Sequence, residues 1–113
     1  MEYQHEKLAR GKWYTLTLAE QMGNIGSEVG RAGSWRERGQ QEYFDKAFER
    51  ALELFDLTLA DERWKGARRR EIARARDQVC EVLKYGGVDE SLKSLNNYFF
   101  KFALAARMLA GSA

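Results

Sequence analysis

The chain has no proline, one cysteine and one histidine in 113 residues. Proline breaks helix interiors, so its absence permits long uninterrupted helices without proving them. The lone cysteine, Cys80, rules out an internal disulfide framework and fits a reducing compartment. Flanked by Glu81 on a helix, it reads as a buried structural thiol, because negative neighbours disfavour the thiolate. The lone histidine, His5, forms Glu2-x-x-His5, which has the spacing of one arm of a di-iron bundle site. Such a site needs a second arm and two further glutamates, so no metal or other cofactor is expected. No arginine precedes His5 at the distance of the Arg-x(4–6)-His ribonuclease motif of helical HEPN-type toxins. No run approaches the ~20 apolar residues of a membrane span. The opening MEYQHEKLARGKW has no apolar signal core, so the expectation is a cytoplasmic protein with no membrane partner. No phosphate loop and no small-molecule substrate site is evident. The net charge of +2 gives no global argument for nucleic acid.

What the chain does contain is helical periodicity. Hydrophobic residues at 44% and charged residues at 32% are ordinary for a globular protein, and the length suits one domain, 1–113, with its own core. The organising stretch is Leu16–Gly33, LTLAEQMGNIGSEVGRAG. Leu18, Met22, Ile25 and Val29 recur at steps that place them on one helix face. Ala19, Gly23, Gly26, Gly30 and Gly33 form a second stripe beside it. Interior glycine costs a helix roughly 1 kcal/mol relative to alanine, so a row in register predicts close approach of another backbone. Packing inside the bundle is the favoured reading, with a subunit contact as the alternative.

Four helices are predicted, over about 12–38, 41–60, 67–85 and 90–109, with residues 1–11 frayed. The first is expected to begin near Lys12 and include Trp13 and Tyr14. It either runs to Arg38 with Gly39 as the C′ residue or stops early at Gly30 or Gly33; the long version is the expectation. In the second, Phe44, Phe48, Ala51 and Phe55 form the seam, widened by Leu54 and Leu57. The linking segment places Trp64 over a bundle end. Helix three turns Ile72, Ala75, Val79, Val82 and Leu83 inward and ends at Gly86–Gly87. Helix four follows Asp89 as N-cap, with Leu92, Leu95, Phe99, Phe102, Ala106 and Leu109 as a heptad-like seam. Short connections make the expected fold all-α, an antiparallel up-down-up-down four-helix bundle.

Two surfaces are candidates for function. Arg63, Lys65, Arg68, Arg69, Arg70, Arg74 and Arg76 lie in one short segment against a single acid, Glu71. Positive charge at a helix N-terminus opposes the macrodipole, which fits a phosphate-bearing partner, RNA or DNA. The competing reading is a solvated, locally paired face close to Asp56, Asp61 and Glu62. The second surface is Phe100, Leu104 and Met108, which point away from the helix-four seam. A helix apolar on two sides is buried or forms an interface, so a homo-oligomer is expected. Glu20, Glu28, Glu49 and Glu53 read as ordinary solvated positions.

Two segments carry a resemblance. Trp13-Tyr14-x-Leu16-Thr17-Leu18-Ala19-Glu20-Gln21 with Asn24-Ile25-Gly26-Ser27-Glu28-Val29, and Ala47-Phe48-Glu49-Arg50-Ala51-Leu52-Glu53-Leu54-Phe55-Asp56-Leu57-Thr58, resemble a family of short, uncharacterised bacterial helical proteins. The likeness covers Trp13 to about Arg107 and implies no particular chemistry. In size and layout the chain is also similar to the accessory variability determinant proteins of diversity-generating retroelements and to ribosomal-RNA intervening-sequence proteins. That similarity implies an oligomeric bundle that binds nucleic acid and a reverse transcriptase. The resulting expectation is a non-enzymatic scaffold or accessory subunit that binds nucleic acid or a nucleoprotein, with a protein–protein adaptor as the alternative.

Overall fold

Thr17 and Glu20 open the first long helix. The Thr17 hydroxyl accepts the Glu20 backbone N–H at 3.1 Å, and a Glu20 carboxylate oxygen accepts the Thr17 N–H at 2.9 Å. This reciprocal capping box satisfies two donors that the helix cannot satisfy itself. The computed structural model describes residues 11–84 and 89–111 and contains four α-helices: α1 (Leu18–Glu37), α2 (Gln41–Leu59), α3 (Ala67–Lys84) and α4 (Asp89–Gly111). The fold is all-α, and the described residues contain no strand.

The start of helix one differs from expectation. Lys12–Thr15 form a separate 3-10 turn, Leu16 is extended, and α1 begins only at Leu18. The apolar pattern runs through this break, but the Thr-x-x-Glu cap after it sets the boundary. The long version of its far end is observed. Gly39 at φ +70° turns the chain, and the Gln40 N–H donates back to the Trp35 carbonyl at 3.0 Å. Gly66 at φ +61° plays a similar part before α3. The expected frayed stretch through residue 10, the Glu2–His5 pair and the Gly86–Gly87 stop lie outside the described residues, as do Ser112 and Ala113.

The core is built around α1, whose contacts with α2 and α4 are the most extensive in the fold. Met22, Ile25 and Val29 are fully buried, with Trp13, Phe55, Ile72 and Val79 around them. Burial of each such large side chain is worth ~1.5–3 kcal/mol relative to exposure. The α2 seam is rotated from the predicted one: Ala47, Ala51, Leu54, Phe55 and Thr58 are buried, while Phe44 and Phe48 are half-buried. Small Ala47 and Ala51 are fully buried, and Phe44 and Phe48 pack against the core from its edge.

The glycine stripe lies against α4. An added Cβ at Gly26 would stand 2.4 Å from the Phe99 Cβ, and at Gly23 it would stand 3.3 Å from the Ala103 Cα. At Gly33 it would meet the Leu92 methyls at 3.0 Å. Gly30 differs: the nearest atom to a Cβ there is Asn96 Oδ1 at 3.9 Å, ordinary contact, so close packing does not require glycine at this position. Ala19 is half-buried one turn before Gly23.

The partners run in opposite order along the two helices, from Gly33–Leu92 to Gly23–Ala103. By that register Leu18, the first residue of α1, stands near Met108, so only the final residues of α4 pass its end. Leu109, predicted to face inward, is accordingly 60% exposed.

Candidate functional site

Seven basic residues between Arg63 and Arg76 divide into two groups according to what holds them. The first group belongs to the architecture. Arg63 Nε and Nη2 donate to the Asp61 carboxylate, at 3.0 and 2.7 Å to Oδ1 and Oδ2 respectively, and Nη2 also donates to the Leu16 carbonyl. Its guanidinium stacks over the Trp64 ring at 4.6 Å. Asp61 in turn accepts Gln21 Nε2–H at 3.0 Å, and the same nitrogen donates to the Trp13 carbonyl. Gln21 Oε1 accepts the Trp64 indole N–H at 2.8 Å, and the Trp13 indole N–H donates to Thr58 Oγ1 at 3.0 Å.

Gln21, Thr58 and Asp61 are buried, so each would be costly without these partners. Together they clasp the 3-10 turn, α1, the end of α2 and the following link. The hydrogen bonds from Arg63, and then that from Gln21, hold the Asp61 carboxyl below the usual carboxylate range against the opposing effect of burial. Arg69 donates to the Leu59 carbonyl and so serves the C-terminus of α2. Arg76 pairs with Asp56 at 3.1 Å across α3 and α2. For Arg63, Arg69 and Arg76 the locally paired reading therefore describes the observed contacts.

The second group is Lys65, Arg68, Arg70 and Arg74. All four are exposed, and among the described residues none forms an ion pair or a side-chain hydrogen bond. Arg70 and Arg74 stand on successive turns of the same outward face of α3. The one acid of the segment, Glu71, accepts the Tyr98 hydroxyl from α4 at 3.3 Å. Burial foremost, with Glu71 beside it, pushes the Tyr98 phenol up to about 12.

The outer face of α4 is open as expected. Phe100 is 59%, Leu104 45% and Met108 66% exposed. Between Leu92 and Leu109 the charged residues of α4 are Lys93, Lys101 and Arg107, with no acid. Beside Phe100, a cleft of about 170 Å³ opens between α1 and α4 at Gly23, Gly26, Asn96 and Ala103. That is below the roughly 300–1,000 Å³ of small-molecule sites.

A wider cleft of about 360 Å³ lies at Lys12, Leu16, Asn24 and Arg31. Its one carboxylate is Glu28, which sequence placed on a solvated face. The structure instead buries Glu28 and pairs it with Arg31 at 2.8 Å and Arg50 at 3.1 Å. Both carboxylate oxygens are thus engaged, and among the described residues that line the cleft there is no second acid. Cys80 is half-buried and not in the core. Among the described residues no group of His, Cys, Asp and Glu is arranged to hold a metal ion, and no helix is long and apolar enough to cross a membrane.

Sequence reasoning placed Asp61 within reach of the arginines but did not anticipate Gln21 in the clasp, because Gln21 lies 40 residues from Asp61. The uniform sign of Lys93, Lys101 and Arg107 was visible in the sequence and carried no weight until their face was known to be open. No protein family, characterised protein or solved structure matches this chain.

Proposed function

We propose that this protein is a non-enzymatic, self-associating helical scaffold of the cytoplasm, an accessory subunit that binds nucleic acid or a nucleoprotein such as a reverse-transcriptase complex. The observation that carries the reading is the set of four exposed cations, Lys65, Arg68, Arg70 and Arg74, with no acidic partner among the described residues. Arg68 and Arg70 sit in the first turn of α3, where the helix macrodipole disfavours positive charge by ~0.3–1 kcal/mol each. A charge cluster held against that local penalty is suited to phosphate groups, whose contacts give affinity without sequence reading. Self-association rests on the outer face of α4, where Phe100, Leu104 and Met108 are exposed on successive turns as a contiguous apolar stripe rather than as scattered residues.

The test is a salt titration of binding to short RNA and DNA. Four phosphate contacts give a log–log slope of roughly −3 to −4, and Arg70→Ala with Arg74→Ala should reduce its magnitude by about 2. Arg63 is an unsuitable target, since its loss disturbs the clasp around Asp61, and Arg76 is already engaged by Asp56. Binding that ignores both salt and the double substitution moves the reading to a protein–protein adaptor.

A further inference from the structure

The contact between Glu71 and Tyr98 fixes how α3 lies against α4. The Tyr98 hydroxyl donates to Glu71 Oε1 at 3.3 Å. Glu71 lies 13 residues before Lys84, and Tyr98 lies 9 residues after Asp89. If the helices ran parallel through that contact, Lys84 and Asp89 would stand ~33 Å apart, at about 1.5 Å per residue. The five chain steps between Lys84 and Asp89 span at most ~19 Å. The helices therefore run antiparallel here. Arg68, three residues before Glu71, is then level with Lys101, three residues after Tyr98, across the seam between the two helices.

Lys101 is exposed, and among the described residues it forms no ion pair or side-chain hydrogen bond. It shares that state with Lys65, Arg68, Arg70 and Arg74. The acid between these cations, Glu71, is engaged by Tyr98. Asp77 and Glu81 lie beyond Arg74 and bound the surface towards the C-terminus of α3. The Tyr98 ring packs edge-to-face with Phe99 and Phe102, at centroid distances of 5.2 and 5.3 Å. It is half-buried and committed to its own neighbours, and exposed Phe100 lies on a different side of α4.

We infer that the nucleic-acid surface crosses the α3–α4 seam, with Lys101 as a further phosphate contact, and that it takes the backbone of a double helix. This deepens the nucleic-acid reading above and rests on it. Two considerations select a duplex. Proteins hold single strands by combining cations with aromatic rings on which bases stack, and the described residues of this surface present cations. A duplex also carries one negative charge per ~1.7 Å of axis against ~3.4 Å for one strand, and each contact releases more counterions from it. Five contacts give a log–log salt slope of about −4.5 on a duplex and about −3.5 on a single strand.

Salt titrations of fluorescence anisotropy test this, using the full chain with short labelled DNA and RNA duplexes and their separate strands. The tighter of the two duplexes should be bound more tightly than any of the strands. Lys101→Ala should reduce the magnitude of the duplex slope by about 1. Lys93→Ala should leave it unchanged, because Lys93 lies five residues from Tyr98 and so on a different face of α4. Both lysines are exposed, and circular dichroism verifies that each variant keeps its helix content. If Lys101→Ala keeps the wild-type slope while Arg70→Ala with Arg74→Ala reduces it, the surface does not cross the seam and the nucleic-acid reading stands. An equal loss in Lys93→Ala overturns the seam in the same way. Tighter binding of a single strand overturns the double-helix assignment. A chain that binds neither duplex nor strand removes the nucleic-acid reading itself, and the role of Lys101 with it.

Discussion

Alanine at Gly26 and alanine at Gly30 should act in opposite directions, although the two glycines lie one turn apart on the same helix. Both substitutions gain the same intrinsic helix propensity, up to ~1 kcal/mol. They differ in what the new methyl group meets. At Gly26 it would stand 2.4 Å from the Phe99 Cβ and 2.9 Å from its Cγ. Phe99 is buried, and its Cβ cannot swing aside as a side-chain tip could. Relief requires α1 and α4 to separate by about 1 Å, the distance needed to reach ordinary contact at 3.4 Å. Overpacking of this kind costs typically ~1–3 kcal/mol, and separating the helices also loosens the Phe99 and Leu95 packing. The net expectation for Gly26→Ala is a loss of ~1–2 kcal/mol, or roughly 4–8 °C in Tm at ~4 °C per kcal/mol.

At Gly30 the nearest atom is 3.9 Å away, so the propensity gain is uncancelled and Tm should rise by up to ~4 °C. Thermal and urea unfolding followed by circular dichroism, at one fixed protein concentration, measures both. If the two variants move stability in the same direction and agree within ~0.5 kcal/mol, the ordinary scatter between independent sites, the close α1–α4 approach at Gly26 is not as described.

The other predictions concern the cap and the clasp. Thr17→Ala removes one half of the reciprocal cap and should cost ~1 kcal/mol, read from the urea midpoint. Asp61→Asn removes the charge that receives Arg63 and should cost ~1.5–3 kcal/mol at neutral pH. Because the folded-state pKa of Asp61 is depressed, its contribution is fully present above the unfolded value of ~3.9 and is lost as pH falls through the lower folded value. The wild type should therefore lose stability below about pH 4 more steeply than Asp61→Asn, and parallel acid limbs in the two denaturation profiles would show that Asp61 does not carry that linkage.

The fold was legible because its signals are local and redundant. Leu18, Met22, Ile25 and Val29 repeat at helical spacing, and every long helix has such a set. Where one local signal competes with another, the pattern misleads. The apolar run through Trp13 and Leu16 suggests one continuous helix, but the Thr17–Glu20 cap restarts it. Glu28 looks solvated along the chain, and only the approach of α2 buries it beside Arg50. The division of the arginine segment was legible only in part: Asp56 and Asp61 stood out as acids within reach, but not which arginines they would take. Arg63, Arg69 and Arg76 differ from Arg68, Arg70 and Arg74 only in whether Asp61, the Leu59 carbonyl and Asp56 come within reach, and that depends on how α2 meets α3. The exposed face of α4 was visible from the steps of Phe100, Leu104 and Met108, which leave the seam of Leu92, Leu95 and Phe99 on the other side of the helix.

Sedimentation velocity of the full chain over a wide concentration range, alongside Phe100→Ser with Leu104→Ser, tests self-association through α4 most directly. The predicted result is a discrete oligomer for the wild type and a folded monomer for the variant at every concentration. A wild type that sediments as a monomer throughout, or a variant that keeps the wild-type mass, would contradict it.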